Sequence, residues 1–317
     1  MTLSEFIRAS VEHPERCEDA IMTFANGDGK APVFAIIDGM GGHQRKVNGD
    51  KWITGRDAAL SVRETLIEDL LRLPADIDAS ANGEAERRAV AALQRAHQQI
   101  TVELNSSNGG DLPLHERVGA VATVVIVCEN GSRLLVAQVG DTRAYLFSEG
   151  ELIQLCYDED NIQYLVERGV LSEEDGARIS EILNEYDGVN EPTAEGSVTI
   201  NGTPYELYLA WRWFLVGNSA LNIPPSNVVI HALGVESTQP TPQVSRIEIA
   251  AGEKLILCSD GVYKNLSDAE LIEFLSRDDL PADAMAQRIG EAAYARSTGT
   301  DNRRSTKDDV SAVVVVW

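Results

Sequence analysis

Val118-Gly119-Ala120-Val121-Ala122-Thr123-Val124-Val125-Ile126-Val127-Cys128 is an apolar, β-branched run. The turn Glu129-Asn130-Gly131-Ser132 follows it, and a second apolar run covers Leu134 to Val139. β-Branched residues suit a pleated strand, and Asn-Gly between two such runs marks a hairpin. Gly140-Asp141-Thr142 breaks the second run, Arg143 to Phe147 resumes it, and Glu149-Gly150 turns again. Elsewhere strands and helices come in separate blocks rather than in regular alternation. That order predicts an α+β fold layered on antiparallel sheets rather than a doubly wound parallel sheet.

Toward the N-terminus, Val33 to Ile37 reads as a short buried strand. Gly39-Met40-Gly41-Gly42 reads as a tight loop, because glycine allows backbone shapes and close approach that other residues resist. Residues 54–73 and 84–104 carry one-sided apolar periodicity and are predicted helices. His97 falls at the core boundary of the second. Toward the C-terminus, 158–190 is acidic with a helical pattern, and Ser172-Glu173-Glu174-Asp175 resembles a helix start. Val198-Thr199-Ile200, Asn201-Gly202 and Tyr205 to Val216 read as a second hairpin. Tyr205, Leu207, Leu209, Trp211, Trp213 and Leu215 then share one face. That face either packs back on its own domain or docks a partner. Ser267-Asp268-Ala269-Glu270 is a capping box opening a helix through Phe274. A further helix covers 281–295, and the last strand starts after Asp309.

At 317 residues the chain has room for one large domain or two ordinary ones, and its 44% hydrophobic content is that of a globular protein. A net charge of -23 repels phosphate backbones and anionic headgroups, which argues against nucleic acid and membrane partners. The same acidity also serves solubility. The apolar runs are too short to span a bilayer, and the first residues lack the order of a signal peptide. Cys17, Cys128, Cys156 and Cys258 contain no Cys-x-x-Cys pair, so neither a disulfide framework nor a zinc site is expected. A cytoplasmic protein fits these features.

Three aspartates stand where apolar runs meet turns. Asp38 ends Val33 to Ile37, Asp260 ends Leu255 to Ser259, and Asp308 precedes Ser311 to Trp317. If these runs are strands of one core, their ends bring the carboxylates together. Like charges repel at such range, and the usual remedy is a hard divalent cation with oxygen ligands. Asp38-Gly39 adds a backbone carbonyl, and Glu18, Asp19 and Asp141 are further candidates. Two such metals sharing a carboxylate would activate a water for attack on a phosphate ester. Each Asp-Gly taken alone is first a turn dipeptide.

Several blocks resemble the type 2C metal-dependent serine/threonine protein phosphatases, in particular bacterial members. They are Glu18-Asp19-Ala20, Phe34 to His43 with its Asp38-Gly39-Met40-Gly41-Gly42, Val139 to Tyr145, Ala232-Leu233-Gly234, Leu257 to Val262, and Asp308-Asp309-Val310-Ser311. They follow the family's order over nearly the whole chain. The resemblance implies a four-layer α-β-β-α sandwich, with two antiparallel sheets stacked face to face and helices outside. It implies a single phosphatase domain over 1–317, carrying a flap and an inserted hairpin subdomain at about 157–230.

By the same resemblance, Asp38 bridges two Mn²⁺ or Mg²⁺ ions and the Gly39 carbonyl binds one of them. Asp260 and Asp308 complete the other ion's shell. Asp141 shares a third, weaker ion with Asp260. Glu18 and Asp19 act through waters, and Asp309 supports rather than ligates. The family's phosphate-clamping arginine is missing: Pro14 stands at its place and Arg16 is displaced from it. Met40 stands where eukaryotic members carry a general-acid histidine, and His43 is expected to be structural. The flap matches Gln163 to Glu174, with Asp158-Glu159-Asp160 before it, and the chain from there to Ala232 is longer than such loops by roughly 40 residues. The implied substrate is a phosphoserine or phosphothreonine protein, with a cognate serine/threonine kinase as partner and a monomeric enzyme. The alternatives are a catalytically weak regulatory or binding module on the same fold, or a small-molecule phosphohydrolase.

Overall fold

The hairpin read at Asn130-Gly131 forms as Ala120–Cys128 pairs antiparallel with Arg133–Val139. Its turn residues take left-handed backbone, with φ of 58° at Asn130 and 97° at Gly131. The structure is a computed structural model. It describes residues 1–25, 29–40, 45–47, 51–107, 110–113, 116–184, 192–223, 225, 229–235, 239–277, 280–299 and 304–317. Gly41, Gly42 and His43, and the end of the helix expected over 158–190, lie outside the described residues.

This hairpin is the middle of a five-stranded sheet ordered Gln243–Glu248, Arg133–Val139, Ala120–Cys128, Val33–Gly39 and Ala20–Phe24. A second five-stranded sheet runs Thr2–Arg8, Val310–Val316, Lys254–Cys258, Arg143–Ser148 and Glu151–Gln154. The strand pairings within both sheets are antiparallel. Thr2–Arg8, Ala20–Phe24 and Gln243–Glu248 were not anticipated. Each lies at a sheet edge; Thr2–Arg8 and Gln243–Glu248 carry few apolar residues, and Ala20–Phe24 is apolar but only five residues long.

Strand parity explains the continuous apolar runs, since neighbouring side chains point to opposite faces. Phe34 and Ile36 meet Val125, Val136, Leu255, Leu257, Val313 and Val315 between the sheets. Val33, Ala35 and Ile37 face the helices Gly55–Leu70 and Glu84–Gln99 through Ala58, Val62, Leu66 and Leu93. The other sheet's outer face, with Ile256, Ala312 and Val314, packs on Leu271, Leu275, Ala286 and Ile289 of the helices Asp268–Leu275 and Met285–Ser297. Both sheets are thus buried on both faces, which is the α-β-β-α sandwich. Each large side chain buried this way contributes about 1.5–3 kcal/mol. The expected capping box forms at Ser267 with Glu270, and a second one forms at Thr54 with Asp57. Among the described residues, no helix is long and apolar enough to cross a membrane. All four cysteines are free thiols.

The second expected hairpin is only half right. Ser197–Ile200 pairs with Thr203–Glu206 across Asn201-Gly202, but Leu207–Val216 is a helix, not the continuation of a strand. The segment carries two periodicities at once. The alternating set is offset by Leu207, Ala210, Trp211 and Phe214, spaced i, i+3, i+4, i+7, and these are the side chains the helix buries. They close a fourth apolar core with Ile162, Leu165, Ile179, Ile182, Val198 and Ile200. The aromatic residues therefore pack within their own segment, with Tyr205 edge-on to Trp213 at 4.9 Å between ring centroids.

Candidate metal centre at one end of the sandwich

Strand parity also aims the acids. Asp38 shares a face with Phe34 and Ile36, and Asp19 shares one with Ile21, which packs against the core between the sheets. Ser259 and Ser311 continue the same face as Leu257 and Val313. Asp38 lies opposite Val121 in one sheet and Cys258 opposite Ala312 in the other, and the charges of Asp260 and Asp308 act on Asp38 across the seam. Asp260 opens the short helix Asp260–Tyr263 directly after its strand. Asp308 precedes Val310–Val316, and Asp141 lies in the turn between Arg133–Val139 and Arg143–Ser148. The result is one acid cluster at one end of the inter-sheet seam.

Both Asp-Gly glycines serve close approach, not a left-handed turn. A Cβ at Gly39 would collide with the Gly55 and Glu18 backbone oxygens, and one at Gly261 with the Asp309 carbonyl. Gly39 is accordingly the last residue of its strand, where a loop had been expected to begin. The Gly39–Gly55 contact seats the helix Gly55–Leu70 against the acid end.

Five carboxylates act on one another here. Burial raises the Asp38 pKa well above the usual range, and Asp19, Asp260, Asp308 and Asp141 raise it further. Burial also raises Asp308, with Asp260 adding and Lys264 opposing. Asp141 is pushed up to about 7 by burial, against the pull of Lys264. Asp19 reaches about 7 by burial and the Asp309 charge. The nearby Ser259 and Ser311 hydroxyls oppose that shift without forming a hydrogen bond to Asp19. Both Asp19 oxygens are buried without a hydrogen-bond partner. Asp19 and Asp260 are buried, whereas Asp38, Asp141 and Asp308 keep a partly accessible edge.

The remaining acids have other tasks. Asp309 accepts the Ser10 N–H at 2.6 Å and the Glu18 N–H at 2.5 Å, so it positions the segment that carries Glu18 and Asp19. Glu18 is raised by burial while Arg16 opposes, with the Arg16 Nε 3.5 Å from a Glu18 oxygen. Arg16 therefore reaches the rim of the cluster from beside Pro14. The triplet Asp158-Glu159-Asp160 fastens the segment that follows it to the centre. Asp158 holds the Arg143 guanidinium at 2.6 Å, and that group stacks on Tyr263 at 3.6 Å. Glu159 accepts the Gly140 N–H at 2.7 Å, and Asp160 caps the helix Asn161–Glu167. Away from the centre, His97 Nδ1 accepts the Gly234 N–H at 3.1 Å, a structural task.

Two side chains were missed in the sequence. Lys264 places its ammonium 2.6 Å from Asp260 Oδ2. Tyr263 donates its hydroxyl to the Asp141 carbonyl at 3.0 Å. The signal available for Lys264 was its i+4 spacing from Asp260 on a helical turn.

Among the described residues, no group of three histidine, cysteine or acidic side chains could hold a metal ion by itself. Hard cations do not require such a group. Magnesium keeps several waters and takes one or two carboxylates. Among the described residues, three buried carboxylate oxygens lack any hydrogen-bond partner, both of Asp19 and Oδ1 of Asp260. Unpaired buried oxygens among mutually repelling acids are what a divalent cation relieves, so the residues fit one.

The family model described as protein phosphatase 2C matches residues 9–292. The serine/threonine protein phosphatase PstP of Mycobacterium tuberculosis is 24% identical over 272 residues, which is 86% of this chain. The chain spans only 39% of that relative's length. The solved serine/threonine phosphatase of S. agalactiae superposes with a TM-score of 0.65 at 20% identity, covering 99% of each chain. The catalytic domain of PstP, solved with two manganese ions, gives a TM-score of 0.60 at 22% identity, covering 98% of this chain and 96% of that one.

Proposed function

The chain belongs to the protein phosphatase 2C family, and from that premise we propose that it is a metal-dependent hydrolase of phosphoserine and phosphothreonine on proteins. The observation that carries the reading is the acid cluster: separate segments of the chain deliver Asp19, Asp38, Asp141, Asp260 and Asp308 to one end of the sandwich. Asp38, the Gly39 carbonyl, Asp260 and Asp308 would hold two Mn²⁺ or Mg²⁺ ions, with Asp141, Asp19 and Glu18 around them. When bound, such ions supply positive charge against phosphoryl oxygens and acidify a water.

The chain's own groups do the positioning. Asp309 fixes the Glu18 backbone through its N–H. Arg16, at the rim beside Glu18, is the candidate to grip the phosphoryl group, although Pro14 has displaced it from the family's position. Arg143 and Asp158 hold the inserted segment next to Asp141. The substrate class is a phosphoprotein made by a serine/threonine kinase, and the enzyme is proposed to act as a cytoplasmic monomer. With a net charge of -23, basic surroundings around the phosphosite favour encounter.

Phosphate release from a phosphothreonine peptide tests the reading in three arms: Mn²⁺, chelator, and Mn²⁺ with Asp260→Asn. Activity should appear in the first arm alone. Undiminished turnover in chelator or in the variant would end the proposal. Turnover of small phosphate esters with none of phosphopeptides would move the assignment to a small-molecule phosphohydrolase.

A further inference from the structure

We propose that Lys264 is a resident cation of the acid cluster, occupying its Asp141–Asp260 side so that the centre takes two divalent ions and no third. The inference rests on the metal-dependent reading above and concerns how many ions that centre holds.

Lys264 follows the short helix Asp260–Tyr263, and its backbone N–H bonds the Asp260 carbonyl at 2.9 Å. That turn brings its ammonium back to Asp260 Oδ2 at 2.6 Å. Asp141 and Asp308 also attract the same ammonium. A surface i, i+4 ion pair would be worth little. This one is different because the half-buried lysine pairs with Asp260 beside Tyr263, whose hydroxyl bonds the Asp141 carbonyl at 3.0 Å, so it sits in the field of acids from separate segments of the chain. It covers one Asp260 oxygen and leaves Oδ1 buried without a partner.

Charge balance points the same way. Glu18 is offset by Arg16, and Asp309 commits both oxygens to backbone N–H groups. Asp309 keeps its charge but has no oxygen left for an ion, so the carboxylates with oxygens open to cations are Asp19, Asp38, Asp141, Asp260 and Asp308. Two dications and one ammonium match those five carboxylates. Without the lysine the same set would favour a further dication, and Asp141 with Asp260 is where the ammonium is drawn. A dication placed on that side would face the fixed positive charge at close range, which is repulsive.

Mn²⁺ binding, read by the loss of the free-ion EPR signal on titration, tests this without an activity assay. Wild type should take up two ions. Lys264→Met should take up a third, weaker one, and adding Asp141→Asn should remove it again. Lys264→Arg, which keeps the charge, should stay at two and serves if the methionine variant does not fold. Three ions bound by wild type or by Lys264→Arg, or an unchanged count in folded Lys264→Met, would overturn the proposal. Wild type that binds no Mn²⁺ would instead overturn the metal-dependent reading beneath it.

Discussion

The acid end of the sandwich and the segment around Trp211 are built on opposite principles. The first draws its carboxylates from distant parts of the chain and holds them where burial and mutual repulsion raise their pKa values. The second spans neighbouring segments from Ile162 to Ile223, and its core of Ile179, Val198, Trp211 and Phe214 is apolar. One region carries electrostatic strain that a ligand relieves; the other closes around an apolar core, with polar ties at its start. Mutations should therefore separate function from stability in opposite senses at the two places.

Asp38→Asn carries the largest expected effect. Because merely supporting groups around a metal cost about 10–100-fold when removed, loss of the proposed bridging carboxylate should lower phosphatase activity at least about a hundredfold. The same change removes one of five repelling charges, so the protein in chelator should melt higher, by roughly 2–4 °C per kcal/mol of relieved repulsion. Calorimetry with and without Mn²⁺ checks both halves. A variant that loses activity and also melts lower in chelator would contradict the strained-site account. Trp211→Ala should do the reverse. Truncating a fully buried aromatic costs about 3–5 kcal/mol, confined here to the insertion. Hydrogen exchange should lose protection over 161–184 and 197–216 while the strands Val33–Gly39 and Val310–Val316 keep theirs. Turnover of a small aryl phosphate should survive better than turnover of a phosphoprotein. Equal loss on both substrates would count against separation of the two regions.

Arg143 and Asp158 lie on the boundary, and Arg143→Lys asks how tightly the regions are joined. Lysine keeps the charge but loses the paired contacts to Asp158 and the stacking on Tyr263. A cost of about 1–3 kcal/mol is expected, consistent with losing hydrogen bonds to a charged group. Limited proteolysis should then open the segment after Asp158 first. Indifference of that segment would mean that Glu159 and Asp160 hold it unaided.

Much of this difference was legible in the sequence because the two regions write different signals. A strand buried on both faces reads as an unbroken apolar run, so Val33 to Ile37 and Val313 to Val316 announced themselves, and the acids at their ends followed. The acid cluster inherits that clarity: strand ends are easy to locate, and parity aims Asp38 into the seam. The insertion offered Tyr205 to Val216, in which alternate positions and i, i+3, i+4 positions are apolar together. Nothing local distinguishes a strand from a helix there; the choice is made by Ile162, Ile179 and Ile182 arriving to cover Ala210, Trp211 and Phe214. Lys264 stayed hidden for a related reason. Its role depends on Asp141, more than a hundred residues away, and a lysine on an acidic surface is ordinarily just a solvated charge.

The smallest expected effect uses a carboxylate outside the centre as a control. Glu270 accepts Arg296 at 2.8 and 2.5 Å and closes the Ser267 capping box. The Arg296 guanidinium lowers its pKa from 4.5 to about 2, the opposite of the shift at Asp38. A depressed pKa means the folded state holds its proton less tightly than the unfolded one. The pair therefore stabilises fully above pH 4.5, and that contribution fades as pH falls toward about 2. Glu270→Gln keeps the cap, since glutamine also fits its last position, but removes the charge. Its melting temperature should fall less steeply than that of wild type between those two pH values. The gap should shrink in high salt, because the pair is partly exposed. The titrating acids of the centre are common to both proteins, so the difference between the two melting curves isolates Glu270. Parallel curves would show that Arg296 contributes no pH-dependent stability.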